Sequence, residues 1–162
     1  MARTALLRID DRLLHGQIGR YWSKEVGADI IVVANDEVHD KKDQQKLMDL
    51  VTPIGSKTYF LSVDQTATEF PDLEDDKEAL ILVESPRDAL RLIGKGIVAD
   101  SINVGNMRNT GSKKEINTSI YVDNKDIEYL NKLRDAGKSL DLRSNPSDEP
   151  TDPDKIFKWF II

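Results

Sequence analysis

Short apolar runs alternate with longer amphipathic segments along this chain, and that rhythm limits the folds it can adopt. The runs Asp29 to Val33 and Ala79 to Val83 are apolar at nearly every position, which is typical of strands buried on both faces. Gln17 to Val26 carries an apolar residue at every fourth position, which is the spacing of a helix with one buried face. Such alternation predicts an α/β fold with a mostly parallel sheet of about six to seven strands and helices on both faces.

The same patterns give the expected elements and one expected domain. Strands are expected at Thr4 to Ile9, Asp29 to Val33, Lys57 to Ser62, Ala79 to Val83, Ser101 to Val104, Ser119 to Val122 and Ser139 to Leu142. Helices are expected at Gln17 to Val26, Asp40 to Pro53, Gln65 to Phe70, Ser85 to Gly94 and Asp123 to Gly137. In the second helix, Leu47, Leu50 and Val51 are expected to face inward. No linker interrupts the chain, so we expect residues 1–162 to form a single domain. The apolar C-terminal segment is expected to pack on the core of this domain, with docking on a partner subunit as the alternative.

Composition excludes several classes of function. The chain has 162 residues, no cysteine and a formal net charge of −6. Thiolate chemistry is therefore excluded, and the negative charge argues against nucleic acid as a partner, because binding a phosphate backbone requires clustered Lys and Arg. The longest apolar run, Ile30 to Ala34, is far shorter than the ~20 residues that span a bilayer. We expect a cytoplasmic protein with no membrane span of its own.

One stretch near the start combines several reactive side chains. Residues 8–18 read RIDDRLLHGQI and contain His15, one of only 2 histidines in the chain. The stretch joins the first predicted strand to the first predicted helix, so His15 is expected on a turn at the carboxyl edge of the sheet, where open α/β sheets bind ligands. Cationic side chains and the first N–H groups of a helix suit such a turn to a phosphate, with Gly16 and Gln17 as the expected backbone donors.

The simplest chemistry for His15 is to carry a phosphoryl group on a ring nitrogen. A neutral imidazole has a nucleophilic lone pair, and nearby cations stabilise the charge on the phosphoryl oxygens. Arg12 is the first candidate for the phosphate contact, because a planar guanidinium binds two oxygens at once. Arg8 is the second candidate, or else it points into a structural ion pair. Asp10 is expected to orient Arg12 or the imidazole.

Other polar residues are weaker candidates. Asn35, Asp36 and Asn106 are expected to line the same pocket, and Asp11 is expected to face solvent. The spacing of His39 from the neighbouring aspartates does not match a set of metal ligands, so no metal site is expected. The segment from Gly105 to Ser112 contains glycines but no dinucleotide fingerprint, and we expect it to shape the rim of the site or the docking face.

The residues alone leave two classes of function open. The first is a phosphoryl carrier that forms a covalent phosphohistidine and uses no metal or nucleotide cofactor. The second is a non-enzymatic module that binds a small ligand or a nucleotide at the same edge of the sheet. A regulatory protein that reads phosphorylation state through this surface would be intermediate between them.

Three stretches resemble one protein family. The stretch from Arg8 to Ile18, followed by Trp22, is similar to the opening signature of the IIB component of the mannose/fructose/sorbose class of the bacterial phosphoenolpyruvate-dependent sugar phosphotransferase system. The stretches IVVANDEV at 31–38 and INVGNMR at 102–108 extend the resemblance. Chain length and the order of strands and helices agree as well, so the likeness covers essentially the whole chain.

The resemblance implies a specific activity. In that family, the histidine of the opening motif accepts a phosphoryl group from a phosphohistidine of the IIA component. It then passes the group to a sugar that crosses the membrane through the IIC and IID components. By position, His15 is the phosphorylated residue, Arg12 contacts the phosphate and Asp10 belongs to the same active loop, whereas Arg108 receives no role. The chain would act as a protein-Nπ-phosphohistidine–sugar phosphotransferase, peripheral to the membrane through IIC and IID.

Overall fold

Six parallel strands form the centre of the structure, a computed structural model in which residues 1–157 are described. The strands are β1 (Arg3–Asp10), β2 (Ile30–Ala34), β3 (Lys57–Leu61), β4 (Glu78–Val83), β5 (Ser101–Asn106) and β8 (Ser139–Asp141). Their order across the sheet is β3-β2-β4-β1-β5-β8, and every neighbouring pair is parallel. The predicted α/β class and parallel sheet are confirmed, with six strands in the sheet.

The predicted strand at Ser119 to Val122 does not join this sheet. It forms β7 (Ile120–Val122), which pairs antiparallel with β6 (Lys114–Asn117) in a separate hairpin. The hairpin lies beside Met107, whose backbone N–H donates to Ser119 O and whose carbonyl accepts from Tyr121. Local pairing across a short turn satisfies the backbone of this segment, so it does not need a place in the main sheet.

Helices cover both faces of the sheet, as predicted. A π-helical turn at Ile18–Trp22 leads into α1 (Ser23–Glu25), and α2 (Lys42–Asp49) follows β2 after a 3-10 turn at Val38–Asp40. The remaining helices are α3 (Val63–Glu69), α4 (Pro86–Gly94), α5 (Asn124–Asp135) and α6 (Asp154–Phe157). Ser85 and Asp123 cap α4 and α5 with their side chains, as their positions before the helices predict.

Two hydrophobic clusters lie on opposite faces of the sheet. In β2, Ile31 and Val33 belong to the cluster that the Ile18–Trp22 turn and α2 cover, whereas Ile30 and Val32 belong to the larger cluster under α3, α4 and α5. This alternation follows from the two-residue period of a strand. All five residues of β2 are buried, as expected for a strand with helices on both sides.

The prediction that Leu47 and Leu50 lie on the inner face of α2 is wrong. Leu47 and Leu50 are 68% and 81% exposed, whereas Met48 and Val51 pack against the cluster. The side chain of Gln45 is buried, and its Nε2 donates to Val38 O at 2.8 Å. This contact fixes the rotation of the helix so that Gln45 and Met48, three residues apart, face the sheet.

The C-terminal segment is described only in part. Ile156 is fully buried and Phe157 packs against the larger cluster, with the Arg134 guanidinium 3.8 Å from the centre of the Phe157 ring. Residues 158–162, including most of the apolar segment expected to pack on the core, lie outside the described residues. None of the helices within residues 1–157 is both long and apolar enough to cross a membrane.

Strand order places one crevice at the carboxyl edge of the sheet. After β1 the chain crosses to β2 on one side, whereas after β5 it crosses to β8 on the other side. Where neighbouring strands lead away in opposite directions, a gap opens between their connections, and α/β proteins bind ligands there. The loop after β1, which carries His15, lies at this gap.

Candidate functional site

The backbone around His15 is bent at two points. Leu13 is buried and has a φ of 58°, an unusual conformation for a residue with a side chain, and its N–H donates to Asp10 O at 2.9 Å. On the neighbouring strand, Ile9 pairs with Val104 but Asp10 pairs with Asn106, so Gly105 is the extra residue of a β-bulge. Together the turn and the bulge bring the ends of β1 and β5 around one small volume.

Asp10 is the centre of the site's hydrogen bonds, and its side chain is fully buried. Its Oδ2 atom lies 2.9 Å from His15 Nε2 and 3.0 Å from Arg8 Nη2, while its Oδ1 accepts from the Arg12 backbone N–H at 2.9 Å. Burial alone raises the pKa of Asp10, but the His15 hydrogen bond, the Arg8 charge and the Arg12 N–H outweigh it and hold the pKa below its usual range. Asp10 is therefore an ionised carboxylate that fixes the imidazole.

Arg8 is a buried partner of Asp10 rather than an exposed phosphate ligand. Its side chain is 1% exposed, and besides Asp10 its guanidinium donates to Asn103 Oδ1 at 2.7 Å and Ser144 O at 2.9 Å. Trp22 covers it, with the guanidinium carbon 5.5 Å from the ring centre. Burial lowers the pKa of Arg8, although the Asp10 charge opposes this. The structural ion pair, one of the two roles expected for Arg8, is the one observed.

Gly105 leaves room for the Arg8 guanidinium. A Cβ atom on Gly105 would lie 2.0 Å from Arg8 Cζ and 2.1 Å from Nη1, well inside van der Waals contact. Arg8 cannot easily move aside, because its nitrogens are hydrogen-bonded to Asp10, Asn103 and Ser144. The absence of a side chain at the bulge is thus a packing requirement of the site.

His15 and Arg12 form the exposed part of the site. The His15 side chain is 18% exposed, and Arg12 Nη2 lies 2.9 Å from His15 Nδ1 and 3.3 Å from Nε2. The imidazole therefore lies between a buried carboxylate and a solvent-facing guanidinium. This arrangement holds the ring in one orientation and places a bidentate cation beside it.

Asp11 does not simply face solvent, contrary to the expectation. Its side chain is 20% exposed, and its Oδ2 accepts from the backbone N–H of Arg108 at 2.7 Å and from Arg108 Nε at 3.2 Å. Its Oδ1 accepts from Asn106 Nδ2 at 3.1 Å. Asp11 thus joins the loop after β1 to the loop after β5 and orients Arg108, a residue to which sequence reasoning assigned no role.

These loops enclose an open cavity of about 460 Å³ beside His15. Its wall includes Arg12, His15, Gln17, Asn106, Arg108 and Asn145. Asn106 is therefore confirmed as a lining residue. Asn35 and Asp36 are not part of this wall: they follow β2, which β4 separates from β1, and the Asp36 carboxylate pairs with Arg91 at 2.8 Å.

The sequence analysis did not predict two groups of site residues. Asn103 is fully buried on β5 and donates to the carbonyls of Asp141 and Arg143. Ser144 and Asn145 follow β8 and line the cavity. They come from the end of the chain, more than 120 residues after His15 in sequence, and only their place after a strand could have singled them out.

Gly16 and Gln17 lie where the helical segment after His15 begins. Nothing lies within 4 Å of the position that a Cβ atom on Gly16 would occupy, so its backbone is open to approach. The Ile18 and Gly19 N–H groups both donate to His15 O, which places His15 at the first turn. Within residues 1–157, no group of three His, Asp or Glu side chains is arranged to hold a metal ion.

The depressed pKa of Asp10 predicts a pH-dependent contribution to stability. Folding favours the ionised form of Asp10, so the carboxylate stabilises the folded chain fully above the ordinary aspartate pKa of about 3.9. This stabilisation is lost as the pH falls through the lower pKa that Asp10 has in the folded chain. We expect Asp10→Asn to lower the free energy of unfolding by about 3–5 kcal/mol at pH 7, since it leaves Arg8 buried without its partner. Chemical denaturation between pH 7 and pH 3, followed by tryptophan fluorescence, measures the difference.

The difference between the wild-type chain and Asp10→Asn is expected to shrink below about pH 4, because the unfolded wild-type chain then binds a proton at Asp10 that the folded chain, with its lower pKa, still excludes. Asp75→Asn, which changes a carboxylate with a 96% exposed side chain at the other end of β1, serves as the control and should not differ from wild type. A difference for Asp10→Asn that stays constant down to pH 3 would contradict the assigned pKa direction.

The chain is similar to known proteins over most of its length. The family described as "PTS system sorbose subfamily IIB component" matches residues 4–160. An Escherichia coli K12 protein, "N-acetylgalactosamine-specific phosphotransferase enzyme IIB component 2", is 34% identical over 96% of this chain and 99% of its own length. The "PTS system mannose-specific EIIAB component" of E. coli K12 is 34% identical over 88% of this chain and 45% of its own length.

Solved structures agree with this assignment. The crystal structure of the IIBSor domain of the sorbose permease from Klebsiella pneumoniae superimposes with a TM-score of 0.91 at 30% identity and covers 99% of both chains. The fold and the family match thus coincide over nearly the whole sequence. The chain belongs to the sorbose subfamily of phosphotransferase system IIB components, a group of sugar phosphotransferases.

Proposed function

We propose that this chain is a phosphoryl carrier that accepts a phosphoryl group on His15 from the phosphohistidine of a IIA component. It then passes the group to a sugar at the membrane-embedded IIC and IID components. The observation that carries the proposal is the geometry of His15. The imidazole is held by a buried carboxylate on one side, lies beside an exposed guanidinium, and borders an open cavity at the carboxyl edge of the sheet.

The contacts favour Nδ1 as the phosphorylated nitrogen. The ionised Asp10 only accepts hydrogen bonds, so its contact with His15 Nε2 requires a proton on Nε2. In the neutral ring the lone pair then lies on Nδ1, the nitrogen 2.9 Å from Arg12 Nη2. Arg12 is therefore close enough to contact a phosphoryl group on Nδ1 after a small movement of its side chain.

The same contacts stabilise the charge that develops on the imidazole during the transfer. Nδ1 forms a bond to phosphorus as the bond between phosphorus and the donor's histidine nitrogen breaks, and the bonding electrons return to that nitrogen. The product ring carries a phosphoryl group on Nδ1 and a proton on Nε2, so it is positively charged. The Asp10 carboxylate stabilises this charge, much as a buried aspartate stabilises the imidazolium of a catalytic triad.

Cationic and backbone donors would hold the phosphoryl oxygens. Arg12 offers two parallel N–H groups, and Arg108 lines the same cavity with its Nε tethered to Asp11. The first N–H groups of a helix lack acceptors within the helix, so Gly16 and Gln17 are the backbone donors in this proposal. Positioning and charge stabilisation are the main requirements of phosphoryl transfer.

The proposed route needs neither a metal nor a nucleotide, since the phosphoryl group arrives already activated on the donor's histidine. The name of the mannose-specific EIIAB relative joins a IIA and a IIB component in one protein, which supports IIA as the partner. We propose that the chain works in the cytoplasm and reaches the membrane through IIC and IID. A sugar is the proposed final acceptor.

Phosphorylation of the wild-type chain tests the proposal. We expect incubation with phosphoenolpyruvate and the upstream carriers, including a IIA component, to add one acid-labile phosphate, located on His15 by mass spectrometry. The ³¹P resonance is expected to be that of an Nδ1-phosphohistidine. Phosphate on any other residue would overturn the assignment. Tight stoichiometric binding of a nucleotide in calorimetry, without phosphorylation, would instead favour the binding-module alternative.

A further inference from the structure

The cavity beside His15 is lined by two chemically different groups of side chains. One group is cationic and consists of the guanidinium groups of Arg12 and Arg108. The other group, the polar wall, presents hydroxyl, amide and carboxylate groups, from Thr118, Ser119, Asn145 and Asp148. A phosphoryl group alone requires only the cationic group. At about 460 Å³, the cavity lies within the range of roughly 300–1,000 Å³ that is typical of small-molecule sites.

The polar wall is held in place by buried donors. Ser144 O accepts from Arg8 Nη1 at 2.9 Å and from Trp22 Nε1 at 2.7 Å. The next residue, Asn145, donates its backbone N–H to Asp148 Oδ2 at 2.9 Å. The loop after β8 is therefore tied to the same Arg8 that pairs with Asp10.

One atom of this wall has no hydrogen-bond partner. Asn145 Oδ1 is shielded from solvent and accepts no hydrogen bond from any residue within 1–157. An unsatisfied buried acceptor costs about 1–3 kcal/mol, so it indicates a missing donor. Because Asn145 also lines the cavity, a ligand hydroxyl bound there is a candidate for the missing donor.

We propose that this cavity binds a hexose phosphate, with the phosphate between Arg12 and Arg108 and the sugar hydroxyls against Asn145, Asp148 and Ser119. Asp11 accepts a hydrogen bond from Arg108 Nε and so orients the guanidinium. Neither terminal nitrogen of Arg108 is hydrogen-bonded within residues 1–157, so both can donate to a phosphate. This inference rests on the proposed function, since a sugar phosphate is the product of the transfer. The cavity would hold that product beside the histidine that has just lost its phosphoryl group.

The charge of the polar wall narrows the class of ligand. Asp148 is a carboxylate, which accepts hydrogen bonds from hydroxyl groups but repels a second phosphate. A sugar monophosphate has one anionic group for the two arginines, and its hydroxyls suit the amide, hydroxyl and carboxylate groups of the polar wall. A nucleoside triphosphate would bring further negative charge to Asp148, so it is disfavoured.

Calorimetry on the unphosphorylated full chain tests the inference. The ligands are glucose 6-phosphate, galactose 6-phosphate, inorganic phosphate and free glucose, in separate titrations at one ionic strength. We expect at least one hexose phosphate to bind about tenfold or more tightly than inorganic phosphate, because hydroxyl contacts add to the shared phosphate contact. Equal affinities, or no binding of either hexose phosphate at millimolar concentration, would overturn the proposal.

Two variants separate the sugar contacts from the phosphate contacts. We expect Asn145→Ala to weaken hexose phosphate binding about fivefold to tenfold, the loss of about one hydrogen bond, and to leave inorganic phosphate binding unchanged. Ser147→Ala is the matched control: Ser147 lies two residues further along the loop and lines only the neighbouring groove with Arg20 and Tyr21. A similar loss in both variants would indicate a general disturbance of the loop and overturn the assigned contact.

The binding measurement is independent of phosphorylation. If His15 accepts phosphate from IIA but no hexose phosphate binds, the carrier function stands and the product site is rejected. If a hexose phosphate binds but His15 is never phosphorylated, the carrier function fails while the cavity remains a binding site. The two results therefore identify which proposal is wrong.

Discussion

His15→Ala is expected to abolish acceptance of the phosphoryl group from a phosphorylated IIA component. The rate should fall by about 10⁶-fold, the order of magnitude by which removal of a covalent nucleophile slows an enzyme. No other described side chain is both nucleophilic and placed between the Asp10 carboxylate and the Arg12 guanidinium. Transfer of ³²P from labelled phosphoenolpyruvate through the upstream carriers, followed on acrylamide gels at neutral pH, measures the loss.

The chain offers a matched control for this variant. His39, the second of its 2 histidines, lies in the 3-10 turn after β2 and lines no part of the His15 cavity. We expect His39→Ala to accept phosphate at the wild-type rate. Label that persists in His15→Ala, or that disappears in His39→Ala, would contradict the assignment of the nucleophile.

Arg12→Lys is expected to give an intermediate result in the same assay. Lysine keeps the charge but replaces the planar fork by a point charge, so contact with two phosphoryl oxygens is lost. We expect the rate of phosphoryl transfer to fall about tenfold or more, which corresponds to the loss of one hydrogen bond to a charged group. Unchanged transfer would remove Arg12 from its proposed role.

Gly105→Ala is expected to lower the free energy of unfolding by about 3–5 kcal/mol, a large effect for the addition of one methyl group. The new Cβ atom would lie 2.0 Å from Arg8 Cζ, so the guanidinium must leave its position. That movement breaks the buried pair with Asp10, and separating such a pair inside a protein costs about this much. Urea denaturation followed by tryptophan fluorescence measures the change.

Loss of stability should be accompanied by loss of function, because Asp10 positions His15. We expect the folded fraction of Gly105→Ala to accept phosphate more slowly than wild type. Gly94→Ala, at the end of α4, is the control: nothing lies within 4 Å of its added Cβ atom. Its stability is expected to stay the same or rise by about 0.4–1 kcal/mol. Equal stabilities of the two variants would show that the bulge has room for a side chain.

Local patterns were sufficient to predict most of the fold. Ser85-Pro86 predicted the start of α4, and the apolar runs predicted all six strands of the sheet, because capping and burial on both faces depend on residues close in sequence. The two errors came from contacts between segments. The hydrogen bond from Gln45 to Val38 set the rotation of α2, and pairing with β6 placed β7 in a hairpin outside the main sheet.

The active loop was predictable for the same reason. His15, Arg12 and Asp10 lie within six consecutive residues on a strand-to-helix turn, so their proximity follows from the chain itself. Even so, the sequence left two roles open for Arg8, because a side chain on a strand can face either the site or the core. Its position opposite Asn103 on β5 and under Trp22 decides between them.

By itself, then, the sequence determined the class of fold, the loop that carries His15 and the family. Only the tertiary structure decided why residue 105 is a glycine, that Asp11 orients Arg108, and that the loop from Ser144 to Asp148 closes the cavity. The physical reason is separation along the chain. Capping and strand patterns act between near neighbours, whereas a buried ion pair and the wall around it depend on residues that meet only once the sheet has formed.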